Sequence, residues 1–320
     1  FGVLHIKGFV FDDTVLYSGA SINNVYLQQN EKYRYDRYQK ITHPQLADSM
    51  VAFIRDFLLN SDVVLPLDSV NRPKTKEIRQ NIRHFRKNLA LNGQYKLPSA
   101  VDFGNELTVT PLFGLGGAGN VLNCTIEDLF QLVDEKLTIC TPYFNFPRTL
   151  QQKIRHLLRK GKKIEIIVGD KVANDFYIPP EQPFKMVGAL PYLYENNLRR
   201  FSKKFEREMA QGQLIIRTWK DGVNTYHLKG VWIDDNYILL TGNNLNPRAW
   251  RLDAENGLFI HDPKQQLLLQ VVQELDCIRQ HTTVLQHFEL EEMKQYPAPV
   301  QKLLKKFARI KADKLVKMIL

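Results

Sequence analysis

Apolar residues in this chain fall into short runs separated by Gly, Pro and Asn, and the spacing within the runs switches between that of strands and that of helices. Phe9, Val10 and Phe11, and later Val231, Trp232 and Ile233, form continuous apolar stretches rich in β-favouring residues, which argues buried strands. An Asp-Asp pair with turn chemistry follows each, and then a second strand (Val15 to Ser18; Tyr237 to Leu240), so that each copy predicts a hairpin, the first running from Leu4 to Ser21. An aromatic and basic tract spans Tyr33 to Tyr38. Helices are expected from His43 to Leu59 and, after loop signals at Pro66 and Pro73, from Lys74 to Leu91. Polar residues with Gly93 and Pro98 mark a junction between Asn92 and Asn105. Beyond it strand and helix alternate: strand Leu107 to Leu112, helix Cys124 to Val133, strand Leu137 to Thr141, helix Thr149 to Arg159, strand Lys163 to Val168. A long helix from Pro191 to Met209 and a strand from Gln213 to Thr218 then lead into the second hairpin. Such alternation predicts an α/β fold.

The two hairpins carry one polar pattern. His5-Ile-Lys7 with Asp12, and His227-Leu-Lys229 with Asp234, both read H-x-K-x4-D and stand 222 positions apart. A later Gly and a closing Asn, Asn23 and Asn246, recur as well, with one extra residue in the second copy. On a strand His and Lys two apart share a face. Asp12 and Asp234 complete the motif as candidate site residues. Their odd spacing from the histidines, on the opposite face of an unbroken strand, argues a structural part for them.

Two His/Lys pairs suit substitution at a phosphodiester. One imidazole attacks phosphorus to give a phosphohistidine, while the other protonates the leaving oxygen and then deprotonates the acceptor. Lys7 and Lys229, with Asn23 and Asn246 as added donors, would hold the nonbridging oxygens. That logic requires neither metal nor cofactor, and two displacements imply retention at phosphorus. A nucleophilic imidazole also needs its other nitrogen fixed by an acceptor. Glu255, in the tract Arg251-Leu-Asp253-Ala-Glu255, is the choice for one histidine, and Asp36, in Arg34-Tyr-Asp36-Arg37, for the other; surface ion pairs are the alternative for Asp36 and Asp253.

These residues resemble the phospholipase D superfamily. Within it the chain is similar to the bacterial phosphatidylserine synthases of the phospholipase D type, on KYRYDRY (Lys32 to Tyr38), LTICTPYFNFP (Leu137 to Pro147), IIVGDKVANDFYIP (Ile166 to Pro179) and TGNNLNPRAWRLD (Thr241 to Asp253). The resemblance implies transfer of a phosphatidyl group from CDP-diacylglycerol to L-serine with release of CMP, His5 as nucleophile and His227 as general acid and base. It also implies two pseudo-twofold-related repeats, with mixed β-sheets flanked by helices and both motifs in one central cleft. The superfamily's repeat normally has strands and helices ahead of its motif, so the first repeat is expected to be incomplete here. The expected divisions are 1–104 for the C-terminal part of the first repeat with its helical connection, 105–290 for the second repeat, and 291–320 for a basic tail. Glycerol 3-phosphate, a phospholipid or water remain alternative acceptors, and a nuclease or a peripheral lipid- or ribosome-binding protein alternative functions.

A net charge of +10 favours anionic partners: a membrane surface contacted peripherally, and nonspecific nucleic acid or ribosomes. With 44% apolar residues the chain can bury a large core, yet no run approaches the roughly 20 apolar residues of a spanning helix. Cys124, Cys140 and Cys277 show neither metal spacing nor an even disulfide set, and the cytosol, with peripheral association at the inner membrane, is the expected compartment. The sequence specifies no oligomeric state. Three further stretches carry expectations. Gly114-Leu-Gly116-Gly-Ala-Gly119 matches a dinucleotide fingerprint with Asp134 or Glu135 as its loose acidic partner, but a simple strand-to-helix turn is favoured, with cytidine diphosphate contact the minority reading. Arg199, Arg200, Lys203, Lys204 and Arg207, with Phe201 and Phe205 between them, read as a solvated helix face before a membrane-facing one. From Val300 to Leu320, the apolar face of Val300, Leu303, Leu304 and Phe307 opposite Lys302, Lys305, Lys306 and Arg309 predicts an interfacial membrane helix rather than one packed on the protein.

Overall fold

A computed structural model describes residues 2–29, 32–97, 105–117 and 119–309. Strands β1 (Phe9–Phe11), β2 (Thr14–Tyr17), β3 (Arg34–Tyr35) and β4 (Gln39–Thr42) precede α1 (Pro44–Phe53), which widens into a π-helical turn over Ile54–Leu59, and α2 (Arg79–Asn92). The alternating region follows as β5 (Thr108–Leu115), α3 (Val121–Leu129), β6 (Lys136–Thr141), α4 (Arg148–Arg159), β7 (Lys163–Gly169), α5 (Leu190–Lys204), α6 (Glu206–Ala210) and β8 (Leu214–Trp219). Then come β9 (Thr225–Tyr226), β10 (Gly230–Ile233), β11 (Tyr237–Thr241), α7 (Pro247–Arg251), β12 (Ala254–His261), α8 (Leu268–Arg279), β13 (Thr282–Val284) and α9 (Ala298–Arg309).

The main sheet has eight strands in the order β13-β8-β7-β6-β10-β11-β12-β5. β6, β7 and β8 run parallel, while β10, β11, β12 and β5 are antiparallel neighbours, so the sheet is mixed. Successive side chains on its strands enter opposite cores. Ile139, Ile166 and Leu239 meet Leu150, Ile154 and Phe201 of α4 and α5 on one face. Cys140, Ile167 and Leu240 join Leu46, Phe53, Leu89 and Leu275 of α1, α2 and α8 on the other. Burial on both faces is what the continuous apolar run of β10 requires.

The first copy of the motif departs from expectation. Its β1 is an edge strand of a separate sheet, β1-β2-β4, and Phe11 is largely exposed. The extra residue of the second copy lies in the hairpin loop: Phe11 pairs with Thr14 across Asp12 and Asp13, whereas Ile233 pairs with Tyr237 across Asp234, Asp235 and Asn236.

Other expectations are corrected by packing. The helix over 191–209 is interrupted at Phe205, whose side chain turns into the core beside Phe201, leaving the basic residues on the outer face. The described residues of the glycine-rich stretch join β5 to α3 in the expected turn. β5 stands at the sheet edge with the antiparallel β12 as its neighbour, not within a βαβ unit, and a Cβ on Gly114 would lie 1.9 Å from the Asn120 oxygen that caps α3. Val300 and Leu304 of α9 are buried against Ala189, Tyr192, Leu193 and Tyr296, so this helix packs on the protein through the face expected to meet lipid; residues 310–320 of the expected helix lie outside the described ones. Among the described residues no helix is long and apolar enough to cross a membrane.

Asp234 shows why a motif aspartate sits at the hairpin tip. Its carboxylate accepts from the backbone amides of Asp134, Glu135 and Lys136 at 2.5–2.8 Å, tying the turn to the start of β6. Asp234→Ala is expected to lower stability by about 1.5–3 kcal/mol, the range for hydrogen bonds to a charged group, with activity per folded molecule retained. Urea unfolding alongside initial rates measures both.

Candidate active site

Each motif lies against a short segment from the other half of the chain. β3 pairs in parallel with β9, Tyr35 opposite Tyr226, and the His227 amide donates to the Tyr35 carbonyl at 2.8 Å. In the same way Leu4 bridges Ala254 in parallel and the His5 amide donates to the Ala254 carbonyl at 2.8 Å. The next residue of each supporting segment is a carboxylate. His227 Nδ1 therefore donates to Asp36 Oδ2 at 2.8 Å, and His5 Nδ1 to Glu255 Oε2 at 2.9 Å. Both carboxylates are almost fully buried, at 2% side-chain exposure, which removes the surface ion-pair alternative for Asp36. Asp253 instead accepts from the Val3 amide and pairs with Arg248.

The motifs do not lie on unbroken strands as expected. His5 and Lys7 precede β1, and His227 and Lys229 bridge β9 and β10, because the chain passes there from one sheet to another. The two-residue spacing still brings the side chains together: Lys229 Nζ stands 2.7 Å from His227 Nε2.

The residue after each carboxylate fixes the lysine backbone of the motif it supports. Arg37 Nη2 donates to the Lys229 carbonyl at 2.8 Å, and Asn256 Nδ2 donates to the Lys7 carbonyl at 2.8 Å. Ser18 and Thr241 then donate to the carbonyls of Arg37 and Asn256. The recurring glycines make room: a Cβ on Gly19 would lie 3.0 Å from an Asp36 oxygen, and one on Gly242 would lie 2.9 Å from Lys7 Cγ. Asn23 accepts from the Tyr26 amide and Asn246 from the Ala249 amide, so the oxygen of each closing Asn is spent on a turn or cap. Asp12 and Asp234 sit at hairpin tips, away from the histidines.

Burial sets the electrostatics. It pulls His227 down to about 4, with the Lys229 charge acting in the same direction. It lowers Lys229 to about 7 against the opposing pull of Asp36. Burial disfavours ionisation of Asp36, but Lys229 and His227 outweigh it and hold the carboxyl below its ordinary value. Glu255 is raised by burial, which its bond to His5 only partly offsets. Lys7 is lowered by burial against Glu255 and Asp36, so each motif lysine feels a carboxylate of both halves and the two motifs form one charged cluster. Lys7 Nζ donates to Ser21 Oγ at 3.0 Å. Among the described residues no group of three or more His, Cys, Asp or Glu is arranged to hold a metal ion.

Sequence reasoning missed the aromatic and ionic wall beside His227. Tyr26 Oη stands 2.9 Å from His227 Nδ1, and the Arg34 guanidinium lies over the Tyr26 ring at 5.0 Å. Arg34 pairs with Asp175 at 2.9 Å, and Asp175 accepts from the Tyr143 hydroxyl at 2.8 Å. Three of these four lie inside stretches that carried the family resemblance, but no periodicity joins residues so far apart.

Residues 127–280 match the family model described as "Cardiolipin synthase, PLD-like domain". Over its whole length the chain is 75% identical to the CDP-diacylglycerol–serine O-phosphatidyltransferase of Haemophilus influenzae and 53% identical to that of Escherichia coli, covering 70% of each. The crystal structure of the H. influenzae phosphatidylserine synthase superposes with a TM-score of 0.97, covering 99% of this chain and 71% of that one. With its exchanged carboxylates and doubled motif, this chain belongs to the family of phospholipase D-like bacterial phosphatidylserine synthases.

Proposed function

We propose that the protein transfers a phosphatidyl group from CDP-diacylglycerol to the hydroxyl of L-serine, releasing CMP, through a phosphohistidine. The observation that carries this reading is the pair of imidazoles whose Nδ1 atoms are each held by a buried carboxylate, which directs both Nε2 atoms to chemistry. His5 Nε2 attacks the phosphatidyl phosphorus, the P–O bond to the bridging oxygen breaks, and that oxygen leaves with CMP, taking a proton from His227. His227 rests neutral, and the negative charge of the bound diphosphate raises its proton affinity for this step. The serine hydroxyl then gives its proton to His227 and attacks the same phosphorus, breaking the P–N bond. Lys7 and Lys229 neutralise the nonbridging oxygens. Serine-dependent CMP release from CDP-diacylglycerol in mixed micelles, with phosphatidylserine as product, tests the reading. His5→Ala and His227→Ala are each expected to abolish it, and serine-independent release would sink it.

Protonation gives a second check. Lys229 carries its charge below about pH 7 and loses it above, so kcat/KM for CDP-diacylglycerol, which reports the free enzyme, is expected to fall as pH rises through that value. Asp36 raises the Lys229 value. Asp36→Asn should therefore move the alkaline limb to lower pH while cutting the rate by about 100-fold or more, as loss of a histidine-orienting carboxylate does. A pH–rate profile of both proteins decides.

We also place the membrane contact at the rim of this site. Ile22 and Leu27 flank Ser21 and Tyr26, and Phe176, Phe184, Met186 and Val187 follow Asp175; all six are exposed. The two segments meet through the Tyr26–Arg34–Asp175 contacts, which supports reading their exposed apolar side chains as the surface that meets lipid beside the site. Burying one such side chain in lipid is worth about 1.5–3 kcal/mol. The double change Ile22→Asp and Met186→Asp is expected to weaken sedimentation with anionic vesicles at least about tenfold, with turnover of a short-chain, dispersed CDP-diacylglycerol retained.

A further inference from the structure

The pseudo-symmetry fails at one position that matters. Asp36 and Arg37 correspond to Glu255 and Asn256 in their contacts, so Arg34 corresponds to Asp253: a cation on the His227 side faces an acid on the His5 side. Asp253 is buried and holds the Val3 amide and Arg248. Arg34 is 25% exposed, and its guanidinium is held at two of its three nitrogens. Nε meets Asp175 at 2.9 Å and Thr225 Oγ1 at 3.4 Å, and Nη1 meets the Tyr26 hydroxyl at 3.4 Å. Nη2 has no protein partner among the described residues. Through Nη1 and Tyr26 the guanidinium stands one side chain from His227. An arginine held by an aromatic ring, a carboxylate and a hydroxyl, with one terminal nitrogen unused, is placed to present that nitrogen and its fixed charge to a phosphate oxygen.

We propose that Arg34 is a catalytic residue that binds the departing CMP phosphate. This rests on the phosphatidyl-transfer reading above. In that reaction the motif lysines serve the phosphorus under attack, while the bond that breaks delivers its electron pair to the bridging oxygen of a second phosphate. Charge therefore grows on the CMP side, where the symmetric machinery supplies no further cation. Arg34 meets the nonbridging oxygens of that phosphate through Nη2 as His227 protonates the bridging oxygen, and the missing counterpart on the His5 side fits a substrate with its diphosphate on one side only.

The test compares CDP-diacylglycerol with phosphatidyl-p-nitrophenol, whose leaving group has no phosphate. In Arg34→Gln, kcat/KM for CDP-diacylglycerol is expected to fall about 100-fold, the loss typical of one charge-stabilising donor, and competitive inhibition by CMP to weaken in parallel. Release of p-nitrophenol should fall at least about tenfold less than release of CMP, and an unchanged urea-unfolding midpoint shows that the variant is folded. Arg34→Lys should recover part of the loss, a point charge without the planar, pre-oriented donor. Equal losses on both substrates, or none on CDP-diacylglycerol, would overturn the assignment. A parent protein that releases no CMP in the presence of serine would instead overturn the phosphatidyl-transfer reading.

Discussion

The whole site hangs on an exchange. Two short parallel pairings, Tyr35 beside Tyr226 and Leu4 beside Ala254, carry a carboxylate from each half of the chain to the histidine of the other. Neither half is chemically complete: a motif without its visiting carboxylate has an imidazole with no fixed tautomer and, at Lys229, a fully buried ammonium without its ion-pair partner. Burying such groups costs several kcal/mol each before pairing. The exchange therefore settles electrostatics and geometry at once, and the surrounding contacts from Arg37, Asn256, Ser18 and Thr241 serve to hold its register.

Around that exchange the two halves have diverged where packing differs. The second hairpin is woven into the middle of the main sheet and is apolar on both faces, while the first lies on a small sheet with an exposed edge. His227 is accordingly the more buried imidazole and His5 the more accessible one. Symmetric chemistry placed in asymmetric surroundings lets the two histidines take different duties.

Much of this was readable from residue order because the repeat is a local pattern: H-x-K, the glycine, the closing asparagine and the α/β alternation each lie within one short stretch. Glu255 and Asp36 were reachable as acceptors, but their crossing over was not, since backbone pairing between residues some 190 to 250 positions apart leaves no periodic trace. Setting Arg34-Tyr-Asp36-Arg37 against Asp253-Ala-Glu255-Asn256 was the signal available for Arg37 and Asn256. Expectations failed where amphipathicity was taken for exposure. Val300 and Leu304 pack inward, as Phe201 and Phe205 do beneath the solvated face read from their basic neighbours, and a charged outer face says only that water lies on that side. The H-x-K segments were expected within strands because a strand and an extended crossing between sheets share the same two-residue alternation.

The pairing of Leu4 and His5 with the stretch at Ala254 and Glu255 also sets an order of events during synthesis. The first motif is made 250 residues ahead of its supporting carboxylate, so that half-site cannot be complete on the ribosome until Glu255 has been added. Contacts of such range form late, because loop closure must precede their reward. A chain that stops short of Glu255 therefore carries His5 without the acceptor that fixes its tautomer, and the chemistry waits on a contact made across 250 residues.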